Sequence, residues 1–130
     1  MPYGTLLTDT IKSSISGPVT FRNTSGTEVG TLCRAWVNFN GTGTVAIRAS
    51  FNVSSITDNG TGDYTVNFTT ALSDTNYGVV SSGGNATNNG NRSILTASYL
   101  AATTSVRITS VVSSNITSND TDVIAVAVFR

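Results

Sequence analysis

From Cys33 onward the chain is a series of short runs in which apolar and polar residues tend to alternate, separated by clusters of Gly, Asn, Asp and Thr. Alternation with period two is the mark of a strand that buries one face. The first run is Cys33-Arg34-Ala35-Trp36-Val37-Asn38-Phe39, and Asn40-Gly41-Thr42-Gly43 after it predicts a tight turn, since Gly accepts the positive φ such turns need. Residues 44–50 return, and Phe51-Asn52-Val53 carries the run on towards Ile56. Asp58-Asn59-Gly60-Thr61-Gly62-Asp63 predicts the next turn. In Tyr64-Thr65-Val66-Asn67-Phe68 the alternation is clean, with Tyr64, Val66 and Phe68 on one face and Thr65 and Asn67 on the other. Further strands are predicted at 77–81, 93–99, 106–111 and 123–129. β-Branched residues dominate these runs, and helical periodicity is absent from them. Short strands with Gly- and Asn-rich turns predict an all-β fold, an antiparallel, jelly-roll-like β-sandwich.

The first thirty residues read differently. Residues 5–31 hold few large apolar side chains, and Pro18 follows Gly17 in a Ser-rich stretch, which predicts an extended arm with brief strand pieces. Such an arm buries too little to offset its own ordering entropy, so it is expected to lie against neighbouring subunits. The expected division is therefore an attachment or oligomerisation arm, 1–31, and one sandwich domain, 32–130. Ile11, Ile15, Pro18 and Phe21 are the arm's candidate assembly contacts. The longest polar interruption, 82–92, is expected to be a loop available to a partner or host surface, with Gly83, Asn85, Asn88, Asn89, Asn91 and Arg92 as candidate contacts.

Composition sharpens this picture. Only 11% of the 130 residues are charged, against 38% hydrophobic, so solubility must rest on hydroxyls and amides. Low charge with this much apolar content predicts a folded chain. Seven basic and seven acidic residues cancel, and there is no basic run. Nucleic-acid binding and attachment to anionic membranes, which need clustered Lys or Arg, are therefore not expected. The longest apolar stretch, Val123–Phe129, is too short to span a bilayer as a helix. The N-terminus lacks the basic start and apolar run of a signal peptide, so synthesis in a cytoplasm and release by lysis are expected.

The inventory of reactive groups is thin: no histidine, one cysteine and one glutamate, Glu28. Ser-His-Asp and Cys-His constellations are excluded, as is a zinc site of ordinary composition. Paired carboxylates remain: Asp120 with Asp122, expected on one face of a strand, and Asp58 with Asp63, flanking a turn. Glycoside hydrolysis needs two carboxyls facing each other across a cleft, and turn aspartates seldom provide that. Asp58, Asn59 and Asp63 could offer oxygens to Ca²⁺, but their spacing is not that of an EF-hand, and an Asx-rich hairpin turn is the favoured reading. Neither an enzyme nor a cofactor is expected. Asn-X-Ser/Thr triplets such as Asn52-Val53-Ser54 follow from a composition rich in those residues. Cys33 is expected to be a small buried hydrophobe. Tyr3, Trp36, Tyr77 and Tyr99 are candidates for stacking on sugars, although the strand patterns of Trp36 and Tyr64 favour the core for both.

Two consecutive stretches carry a family resemblance. The first runs Gly26-Thr27-Glu28-Val29-Gly30-Thr31-Leu32-Cys33-Arg34-Ala35-Trp36-Val37-Asn38-Phe39-Asn40-Gly41-Thr42-Gly43. The second runs Ile47-Arg48-Ala49-Ser50-Phe51-Asn52-Val53-Ser54-Ser55-Ile56-Thr57-Asp58-Asn59-Gly60-Thr61-Gly62-Asp63-Tyr64. Together they resemble a domain of tail-fibre-like appendage proteins of tailed bacteriophages, notably those infecting cyanobacteria and marine bacteria. The likeness extends from about Ile15 and is most specific through Tyr77. It implies a virion protein, a homotrimer that contacts other virion proteins and a host-surface glycan or protein. A short tail-fibre component and a capsid decoration (cement) protein both fit that implication; the resemblance supplies no catalytic residues.

Overall fold

The computed structural model describes residues 8, 10–12, 19–84, 93–112 and 117–130, with backbone alone for 93–99 and 112. The chain divides into two compact units, Met1–Leu32 and Cys33–Arg130.

In the first unit, β1 (Phe21–Arg22) and β2 (Glu28–Gly30) pair as an antiparallel hairpin. Asn23 builds its turn: the side-chain oxygen accepts from the backbone N–H of Ser25 and Thr27, and Gly26 takes the positive φ of 80°. Asx side chains favour such turns because they can replace a backbone acceptor locally. Ile11, Phe21, Val29 and Leu32 are all exposed. Ile15 and Pro18 lie outside the described residues.

The second unit is a sandwich of two antiparallel sheets. One has the order β4-β3-β11-β7, from β3 (Cys33–Asn40), β4 (Ala46–Phe51), β7 (Gly78–Gly84) and β11 (Val123–Phe129). The other runs β5-β6-β9, from β5 (Val53–Gly60), β6 (Asp63–Phe68) and β9 (Ser105–Val112). There β8 (Ser93–Ala102) also pairs with β9, and the two-residue β10 (Thr117–Ser118) joins the end of β9. Period-two alternation aims one face of each strand inward. Ala35, Val37 and Phe39 of β3 and Ile124, Val126 and Val128 of β11 meet Tyr64, Val66 and Phe68 of β6 and Val106 and Ile108 of β9. The Phe39 and Tyr64 rings meet edge to face at 5.3 Å, a favoured aromatic geometry that joins the two sheets.

Several boundaries differ from the sequence reading. The run through 51–53 is not one strand: the chain breaks at Asn52, whose φ of 54° ends β4 and starts β5 in the opposite sheet. Asn tolerates this conformation because its short side chain finds partners nearby. Here the amide donates to the carbonyls of Arg34 and Thr70, and its oxygen accepts from Thr70 N–H. Asp58, Asn59 and Gly60 belong to β5, so the turn narrows to Thr61 and Gly62. Residues 82–84 are not loop either. They finish β7, where Gly83 is half-buried and sits opposite Ile124.

Candidate interaction surface

The alternation that fills the core also determines what each sheet turns outward, and the two sheets turn out different chemistry. On β4-β3-β11-β7, the register places Phe51 opposite Trp36, Trp36 opposite Ala127, and Ala127 opposite Val80. This apolar row crosses all four strands. Trp36 is 40% exposed, Phe51 55% and Val80 64%. The next row holds Ala49, Asn38, Ala125 and Ser82. Because Ala125 and Ala127 are small, the surface dips between Trp36 and Val80 into a groove of about 400 Å³, also lined by Asn38 and Ser82. No ionisable side chain lines it. Arg48, on β4, turns to the Asn38 side-chain oxygen and the Asp122 carbonyl.

The outer face of the other sheet is polar and internally bonded. Asn67 donates to the hydroxyls of Ser55 and Thr57 at 3.1 and 3.0 Å, and Asn59 donates to that of Thr65 at 2.9 Å. Arg107 grips Asp63 with Nε at 2.7 Å and Nη2 closer still. That bidentate pair holds the Asp63 carboxyl below the usual carboxylate range and raises the guanidinium. Among the described residues, Leu100 is the one large apolar side chain of this sheet exposed to solvent.

Both faces rest on one buried joint. The Tyr64 hydroxyl lies 2.8 Å from the Gly41 carbonyl and 2.8 Å from a carboxylate oxygen of Asp120, which also accepts from Gly62 N–H at 2.7 Å. Burial, then the bond to Asp120, pushes the Tyr64 phenol well above its ordinary value. The Ser110 and Thr121 hydroxyls, both buried, bond at 2.8 Å beside it. Glycine is needed twice. A Cβ at Gly41 would lie 2.6 Å from the Tyr64 hydroxyl oxygen, and one at Gly62 (φ +67°) 2.5 Å from the Ser110 carbonyl.

These contacts redistribute the sequence candidates. Trp36 is not a core residue, whereas Tyr64 is fully buried. Cys33 is half-buried, its thiol facing the Ala35 carbonyl. Asp120 and Asp122 do not share a strand: they sit between β10 and β11, on either side of buried Thr121. Asp120 serves the joint, while Asp58 accepts from Gly60 N–H and Asp63 is taken by Arg107. Among the described residues, no three His, Cys, Asp or Glu side chains gather to hold a metal ion. Tyr77 is no stacking platform, because its hydroxyl donates to the Ala102 and Ser105 carbonyls and its ring packs on Phe68. Tyr3, Asn85, Asn88, Asn89, Asn91 and Arg92 lie outside the described residues, as does the side chain of Tyr99. The structural role of Asp120 had no sequence signal. The outward direction of Trp36 had one: small Ala125 and Ala127 alternate with Ile124, Val126 and Val128 on the strand beside it. No described helix is long and apolar enough to cross a membrane. Compared with protein-family models, curated proteins and solved structures, the chain matches none.

Proposed function

We propose that this chain is a non-enzymatic structural protein of a bacteriophage virion, a short tail-fibre component that assembles with copies of itself and contributes to host attachment. The carrying observation is the division of one sandwich into an outer face that carries an apolar row and a groove lined by no ionisable side chain, and a polar, self-bonded one. A contiguous exposed apolar row on a small domain marks an interaction site. The polar face has its hydroxyls and amides bonded to one another and suits permanent contact with water. The stretch from Gly26 to Tyr64 that resembles phage appendage proteins contains Trp36 and Phe51 of the apolar row and Gly41, Gly62 and Tyr64 of the joint, which agrees with this reading.

Exposed Ile11, Phe21, Val29 and Leu32 in the N-terminal unit favour a second reading, a capsid decoration protein whose arm reaches neighbouring shell subunits. Antibody labelling of intact virions under the electron microscope separates the two. Label at the tail end is expected for a fibre component, and label across the head would establish decoration. Absence of the protein from purified virions would end both readings.

A further inference from the structure

We infer that the groove between Trp36 and Val80 is a contact between copies of this chain, each copy's Trp36 rim seating over the alanine floor of another. The inference rests on the assembly reading above and names the occupant of its apolar face. Two observations favour a second copy over an unrelated partner, and a third sets the strength of the contact. First, a projection and a recess of matching character lie side by side: half-exposed Trp36 beside a recess of about 400 Å³ floored by Ala125 and Ala127. Surfaces that carry both halves of a contact are what symmetric self-association uses.

Second, identical copies bring identical charges together, and a groove lined by ionisable groups would repel itself. This groove has none in its lining, and Arg48 beside it is already bonded to Asn38 and the Asp122 carbonyl. Third, the area sets the strength. Four strands about 4.8 Å apart, with three outward positions each about 6.8 Å apart, give on the order of 400 Å² per copy, about 800 Å² for the pair, before side-chain relief is counted. That is below the roughly 1,200 Å² at which standard specific interfaces begin, so the association is expected to be weak, reversible and concentration-dependent.

Trp36 is the chain's single tryptophan, so its fluorescence reports on this face alone. The full chain should be followed by sedimentation and by Trp emission with acrylamide quenching, from low micromolar to high micromolar concentration. The expected result is a mass rising to a closed oligomer together with a blue shift and at least a two-fold drop in quenching. Ala127→Arg, half-buried on the groove floor, should return the protein to monomer with an unchanged far-UV spectrum, while Thr61→Arg, in the β5–β6 turn, should leave assembly intact. If Ala127→Arg misfolds, Val80→Lys, on exposed edge strand β7, makes the same test. A monomer at every concentration overturns the inference, and so does an oligomer in which Trp36 stays quenchable or which survives both groove variants. Virion labelling does not depend on the groove, so either failure leaves the virion reading to be judged separately.

Discussion

The two outer faces of the sandwich come from the same period-two rule and end in opposite chemistry. On the four-stranded sheet the cross-strand row reads Phe51, Trp36, Ala127, Val80; on the opposite sheet the corresponding kind of row reads Thr57, Thr65, Arg107. Both sheets bury equally regular inner faces, so core formation does not demand this difference. A face that serves only to keep a sandwich in water needs hydroxyls, amides and paired ions, and the second sheet has them. The first sheet exposes an indole and a phenyl ring instead. In a chain with so few charges, the groove on that surface has no ionisable side chain in its lining to oppose association.

The largest effect is expected from breaking the joint that carries both faces. Gly62→Ala combines a positive φ with a Cβ placed 2.5 Å from a backbone oxygen, which must move. A loss of about 3 kcal/mol or more is expected in urea unfolding, enough to erase both faces together. Next, Tyr64→Phe removes a buried hydroxyl shared by Gly41 and Asp120 and should cost about 1–3 kcal/mol. Its pH signature is specific. The folded phenol titrates above its unfolded value, so its stabilisation is complete below about pH 10 and is lost as pH rises beyond it. Wild-type thermal stability should therefore fall more steeply above pH 10 than that of Tyr64→Phe; equal slopes would remove the joint from the account.

Two milder substitutions contrast the faces directly. Asn67→Ala deletes two bonds of the polar face and should cost about 1 kcal/mol without changing association. Trp36→Gln, on the apolar face, should change stability by no more than about 0.5 kcal/mol and reduce association sharply. The reverse pattern, with Trp36 stabilising and Asn67 controlling assembly, would exchange the roles of the faces. The smallest effect belongs to the Asp63–Arg107 pair, whose side chains stay partly open to water. Asp63 is held below the carboxylate range, so its contribution is present above about pH 4 and fades as pH falls through the lowered value. Asp63→Asn should flatten that acid limb slightly in a thermal-melt series.

Much of this architecture was legible in the residue pattern. Val123–Phe129 is bounded in the structure as the alternation predicted, and Tyr64, Val66 and Phe68 face the core. What the pattern could not deliver depended on the third dimension. Asn52 looks like any polar residue in a strand, and only its bonds to Arg34 and Thr70 show why the chain changes sheets there. Asp120 read as one of two carboxylates on a strand face because its partners, Gly62 and Tyr64, approach from another strand pair. In the Cys33–Asn40 run, by contrast, alternation sets Trp36 on the face of Arg34, Asn38 and Asn40, opposite Ala35, Val37 and Phe39, so its outward direction was legible against the usual preference of an indole for the core. The alanines of β11, about ninety residues away, repeat the signal.

The most direct test of the central claim compares both faces in one sample. Hydroxyl-radical footprinting of the full chain, read by mass spectrometry at low and high protein concentration, follows Trp36 and Phe51 on one face and Leu100 on the opposite sheet. Unequal use of the faces predicts that Trp36 and Phe51 become several-fold less reactive as concentration rises while Leu100 stays unchanged. Equal reactivity at all three positions across the whole range, or protection at Leu100 alone, would contradict it.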